Sequence, residues 1–305
     1  MWVHACMHVC MYVYIYAHSP VSPMRPNDTK EVLVLVHGYL GGSAQWHRQL
    51  EALAANFRVV APTLPGYAQH ARMESPHTIE GYADYVVSVL DGERVERFHL
   101  LGHSMGGMIA QEIAVRIPTR VKTLVLYATG PVGVMPGRFE SVAESQGRLR
   151  VDGPSRSARR IGAKWLSGGA ASVHYEACAA LAVQASAQAA HAGLSAMQAW
   201  SGSEKLQQIR SPTLVLWGDC DRCYASEPTL LMCRRVVGAT LRIVHGGSHA
   251  VHVETPALFN SIVCAFLSLH CPSGAAAARE AGSVSVAPPR RRAAGLVSAT
   301  EHFQT

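Results

Sequence analysis

Charge is scarce in this chain. Only 16% of its 305 residues are charged, with 27 Lys and Arg against 21 Asp and Glu. The resulting +6 is spread along the sequence and forms no basic stripe of the kind a nucleic-acid partner needs. Cysteine is also sparse: eight residues in this length exclude a disulfide scaffold and point to a reducing, cytoplasmic compartment. Cys220 and Cys223 form an isolated C-x-x-C, without a second pair at zinc-ribbon spacing and without the context of a redox motif. A membrane-spanning helix of about 20 apolar residues is missing too. The longest candidate, residues 1–17, is interrupted by His4 and His8 and lacks the basic start of a secretory signal. Its Tyr12-Val13-Tyr14-Ile15-Tyr16 alternation fits an edge strand. Residues 1–27 therefore read as a leader, strand-like or disordered, that leaves targeting open.

What is present is apolar. A hydrophobic content of 49% excludes disorder over the whole length, and 26 Gly with 16 Pro interrupt any heptad of useful length. Short β-branched runs at 31–36, 58–61, 98–101, 121–127, 213–217 and 240–244 alternate with helical patterns at 43–56, 78–91, 105–116 and 256–270. Such alternation implies an α/β fold with a mostly parallel sheet covered by helices on both faces. Between 131 and 205 the strand signal stops. Helix-like pieces at 157–166, 173–190 and 195–200 imply an all-helical insertion between two strands. The core then falls into two parts, 28–130 and 206–271. Residues 272–305, rich in Ala, Ser, Gly and Pro with Arg290-Arg291-Arg292, read as a disordered tail.

Gly102-His103-Ser104-Met105-Gly106-Gly107 lies directly between a strand and a helix. That is the context of a nucleophile elbow, a tight turn that presents the serine hydroxyl at a helix N-terminus. Glycine is needed two residues either side because a Cβ there meets backbone. A serine nucleophile requires a base, and the base requires an orienting carboxylate. Candidates stand at later strand ends, in Gly218-Asp219-Cys220-Asp221 and in His245-Gly246-Gly247-Ser248-His249.

With these motifs the chain resembles the α/β-hydrolase superfamily over about residues 28–270. By that resemblance Asp221, rather than Asp219, is the triad acid, and His249, rather than His245 or His252, is the base. His37-Gly38-Tyr39-Leu40-Gly41-Gly42 is similar to the family's oxyanion loop. The resemblance thus implies that the backbone N–H groups of Tyr39 and Met105 hold the oxyanion, with the His37 side chain bracing the loop and Trp46 in the core. Two departures stand out: Pro62-Thr63-Leu64-Pro65-Gly66-Tyr67-Ala68 replaces the family's Asp-x-x-Gly-x-Gly, and Ser248 replaces the glycine common before the histidine.

The resemblance implies hydrolysis of a small carboxylic ester or lactone through an acyl-enzyme, without metal or organic cofactor. The alternatives are cleavage of a C–C bond in a ring-fission product by the same triad, and a low-turnover small-molecule binder. The helical insertion is expected to act as a cap, with Trp165, Met197 and Trp200 either lining a substrate pocket or forming the cap's own core. Oligomeric state leaves no trace in the sequence.

Overall fold

A computed structural model describes residues 30–134 and 139–271, so the expected leader strand and the tail lie outside the described residues. Six strands form one sheet: β1 (Glu31–Val36), β2 (Phe57–Val60), β3 (Phe98–His103), β4 (Val121–Tyr127), β5 (Thr213–Gly218) and β6 (Thr240–Val244). Their spatial order is β2-β1-β3-β4-β5-β6, and every pairing is parallel. The central strands are buried on both faces, as their unbroken apolar runs require, whereas edge strand β6 exposes Thr240, Arg242 and Ile243.

Helices α1 (His47–Leu53), α2 (Ile79–Gly92) and α3 (Met105–Arg116) connect the first four strands. Helix α3 packs on β3 and β4 from one side, while a late helix packs on β4 from the other. The chain leaves β1 toward β2 and then returns to β3 on the opposite side of β1. A parallel sheet opens a crevice at such a reversal, beyond the carboxyl ends of its strands.

Between β4 and β5 run α4 (Val142–Lys164), α5 (Tyr175–Ala182) and α6 (Ala187–Ala199). The first is longer than the sequence pattern implies. It begins with a capping box in which Ser141 accepts from the Glu144 N–H and Glu144 returns the bond, and it continues through a break at Gly153 (φ 77°) and Pro154. That break hid its first half from periodicity. The expected helix over 173–190 is instead divided, because Ser186 caps α6 by accepting from the Ala189 N–H. After β5 come α7 (Ser226–Arg235), then α8 (Val251–Glu254) and α9 (Pro256–His270), the latter lying against β4. No helix among the described residues is long and apolar enough to cross a membrane.

Candidate active site

Ser104 stands between β3 and α3 with φ 56° and ψ −121°, a conformation that costs a non-glycine residue roughly 1–3 kcal/mol. Its neighbours enforce it. A Cβ on Gly102 would lie 2.2 Å from the Gly106 carbonyl oxygen, and one on Gly106 would lie 2.3 Å from that of Val36. The turn is held from behind as well: the Ser104 N–H donates to the Tyr127 carbonyl at 3.0 Å, and the Thr129 hydroxyl donates to the Ser104 carbonyl at 2.7 Å.

The candidate acid and base stand after the last two strands, β5 and β6. His249 Nδ1 donates to Asp221 Oδ2 at 2.9 Å, and the two side chains are 2% and 0% exposed. Asp221 Oδ1 accepts from the backbone N–H groups of Cys223 (2.6 Å) and Tyr224 (3.1 Å), which fixes the carboxylate. With Nδ1 committed to the acid, Nε2 is the nitrogen left to take a proton. The Tyr224 ring stacks on the imidazole, 5.6 Å between centroids and 11° between planes. Asp219, the rival acid, faces elsewhere. It accepts from His245 Nδ1 at 2.9 Å and from the Gly246 N–H at 2.7 Å, tying the acid loop to the base loop.

Behind His249 lies a wall of buried rings. Its carbonyl oxygen accepts from His103 Nε2 at 3.1 Å and from the Tyr127 hydroxyl at 3.0 Å. Gln45 Nε2 donates to His103 Nδ1 at 3.2 Å, so His103 carries its proton on Nε2 and is neutral. Tyr127 also accepts the His252 N–H at 3.2 Å and stacks against His103 at 4.7 Å. Burial holds the His103 imidazole well below its ordinary pKa, helped by the neighbouring His249 and His252. Burial pushes His252 down to about 3 and raises the Tyr127 phenol well above its usual value. Trp46 is fully buried in the same wall, 5.0 Å from the His252 ring.

The loop after β1 faces Ser104 from the other side. His37 donates through Nδ1 to the Gly38 carbonyl (2.8 Å) and accepts the Leu64 N–H at Nε2 (2.9 Å), so it braces this loop against the segment around Pro65. Burial lowers its pKa to about 4. Tyr39 anchors the loop to the helical segment, its hydroxyl donating to the Ala190 carbonyl at 2.8 Å. Met105 is the first residue of α3, so its N–H has no acceptor within the helix. The unexpected Ser248 is also put to use. Its hydroxyl donates to Glu254 and accepts the Ala250 N–H at 3.1 Å, bonds no glycine can make.

Ser104, His249 and Tyr39 line one cleft that encloses about 430 Å³ of empty space, including its solvent-open mouth. Ser104 and His249 face each other across it without a hydrogen bond between them. Trp165 and Met197 line it as expected; Trp200 does not. The Trp200 indole instead donates from Nε1 to Glu112 at 2.8 Å, pinning the end of α6 to α3. The ring is the right size for a pocket, but its N–H found a buried carboxylate. Gly133, Phe139, Ile161, Cys223 and Tyr224 complete the lining; Cys223 stood out in the sequence only as half of a C-x-x-C, and the others not at all. Only Cys223 and Tyr224 had a signal available, since they lie two and three residues after Asp221.

The chain is similar to known proteins in sequence and fold. A sequence model of the alpha/beta hydrolase family matches residues 33–262. RutD of Azorhizobium caulinodans, named as a carbamate hydrolase, is 28% identical over 240 residues, which is 77% of this chain and 90% of RutD. A hydrolase from Pseudomonas aeruginosa superposes with a TM-score of 0.70 at 26% identity, covering 78% of this chain and 90% of that one. The enol-lactonase of Burkholderia xenovorans superposes with a TM-score of 0.73 at 21% identity, covering 80% and 94%. The chain belongs to the alpha/beta hydrolase family.

Proposed function

We propose that this enzyme is a serine hydrolase that opens a small, uncharged carboxylic ester or lactone through an acyl-enzyme on Ser104. The observation that carries this reading is the convergence of a strained Ser104 and an Asp221-bound His249 on one cleft. His249 Nε2 takes the Ser104 proton as the hydroxyl oxygen attacks the acyl carbon, and Asp221 stabilises the imidazolium. The backbone N–H groups of Tyr39 and Met105 receive the oxyanion, each such donor being worth about 3 kcal/mol of barrier. The alcohol leaves with the proton from His249, and water repeats the sequence to release the acid.

Charge separates ester from C–C cleavage. A ring-fission dienoate carries a carboxylate, and none of the described residues lining the cleft is Lys or Arg. A neutral acyl group matches the Phe139, Ile161, Trp165 and Met197 wall. A carbamate is the second reading, supported by RutD, because it presents the same carbonyl to the same nucleophile. Labelling with a fluorophosphonate tests the nucleophile. Wild type is expected to label, and equal labelling of Ser104→Ala sinks the serine mechanism. A panel of short and long nitrophenyl esters, simple lactones, an aryl carbamate and a dienoate tests the substrate class, with turnover of the dienoate alone overturning it.

A further inference from the structure

The two cysteines of the acid loop do not behave as a pair. Cys220 is exposed, whereas Cys223 is buried and lines the same cleft as Ser104 and His249. A carboxylate oxygen of Asp221, the sulfur of Cys223 and a ring nitrogen of His249 all lie within 4.8 Å of one another. These three donors differ in kind and come from side chains already packed: the Asp221 and His249 side chains are 0% and 2% exposed, and Cys223 is 7% exposed.

Three physical points make the cluster a ligand set rather than an accident of packing. Metal–ligand bonds of about 2.0–2.3 Å in a tetrahedral zinc site hold neighbouring ligand atoms about 3.3–3.6 Å apart. The Asp221–His249 contact of 2.9 Å needs only to open slightly, and the Cys223 sulfur, within 4.8 Å of both other donors, needs to close by no more than about 1.5 Å. Charge balances too, since a carboxylate and a thiolate neutralise a dication in a buried wall, and no described Lys or Arg lines the cleft to repel it. Finally, imidazole and thiolate select a borderline-soft ion over magnesium or calcium, and the cleft leaves a fourth position for water.

We propose that Asp221, Cys223 and His249 form an inhibitory site for a thiophilic divalent cation, with zinc the ion that best fits the donor set. Binding releases the thiol proton. A metal on His249 Nδ1 displaces that proton to Nε2, so the ring can no longer accept one from Ser104. The hydrolytic step then stops while the fold stays intact, and a chelator restores it. The blocked turnover rests on His249 acting as the base; the metal site itself does not.

Titration of the full chain with cobalt(II), an optical stand-in for zinc, tests the site. Wild type is expected to develop a thiolate-to-cobalt charge-transfer band that Cys223→Ser lacks, whatever the contribution of other cysteines. In ester hydrolysis, zinc is expected to inhibit wild type reversibly, and Cys223→Ser to need at least about tenfold more zinc for the same fractional loss. Equal cobalt bands in the two proteins, or unchanged zinc sensitivity, overturn the proposal. If Cys223→Ser does not fold, wild type decides alone: zinc must slow alkylation of Cys223 while leaving exposed Cys220 unprotected, and equal rates at Cys223 refute the site. A Cys223-dependent band in a protein that hydrolyses nothing keeps the metal site and removes the hydrolase reading.

Discussion

The two walls of the cleft are built differently. Behind His249, hydrogen bonds set the key positions: His103 and Tyr127 on its carbonyl, Gln45 on His103, and Asp221 on its ring, while Trp46 Nε1 and His252 Nε2 are buried without a hydrogen-bond partner among the described residues. Facing it, the residues of the β4–β5 segment meet the cleft with Phe139, Ile161, Trp165 and Met197, which bring surface rather than hydrogen bonds. That wall joins the other through a few backbone bonds, such as the Ala250 N–H donating to the Trp165 carbonyl at 3.0 Å. Directional bonds restrict which residues can stand at a position; apolar contact restricts mainly their volume. The first wall therefore restricts which residues can stand in it, and the second mainly how large they are.

The sharpest way to break this contrast is Asp221→Asn. The amide keeps the shape but favours the wrong His249 tautomer, and kcat on a nitrophenyl ester is expected to fall on the order of 10⁴-fold. A loss under tenfold counts against the directional wall.

Acid is the next lever. His37, His103 and His252 are neutral when buried, and their native pKa values lie below the unfolded value of about 6.5. Below that pH the unfolded chain binds protons that the native state refuses. The stability is fully present above about pH 6.5 and is lost as pH falls toward the native values near 4 and 3. Denaturant unfolding should lose about 3–4 kcal/mol between pH 6 and pH 5, since each of the three histidines contributes up to about 1.4 kcal/mol per pH unit. A flat profile over that range removes the neutral-histidine wall.

Tyr127→Phe is milder. It deprives the His249 carbonyl of one donor and the His252 N–H of its acceptor, costing about 2 kcal/mol of stability. We expect kcat to fall while KM holds. A change in KM alone assigns Tyr127 to the substrate side.

Trp165→Ala is the smallest change and should act oppositely. It is expected to shift kcat/KM toward long-chain nitrophenyl esters by about tenfold and to leave the short-chain kcat within a few-fold. An equal loss on all esters makes Trp165 a structural residue.

The same contrast explains what the sequence revealed. Strands β4 and β6 and helices α3 and α9 run where the periodicity puts them, and the elbow is legible because φ 56° and two backbone contacts allow few residue types. The choice of Asp221 over Asp219 came from resemblance; in the structure it is Asp221 that lies 2.9 Å from His249 Nδ1. The front wall was far less legible. Nothing in Phe139 or Ile161 marks a lining residue, and Trp200 misled because an indole suits a pocket and a buried hydrogen bond equally. The part of α4 before Gly153-Pro154 was missed, whereas the part after it was expected, because the backbone does leave the helical conformation at Gly153.

The staple at Asp219 has a wider consequence. The Cys220 N–H donates to the Gly247 carbonyl at 2.9 Å, and a Cβ on Gly218 would lie 2.3 Å from that same oxygen. The loops bearing acid and base are thus fastened to each other before either meets the nucleophile. They inherit one another's displacements, so thermal jostling at the β6 edge moves the pair together and leaves its internal contact intact. The loose coordinate of the machine is the gap to Ser104, which stands on a different strand. A tenth of an ångström gained or lost there is a matter for the sheet's twist, and selection on rate can act through residues far from the chemistry.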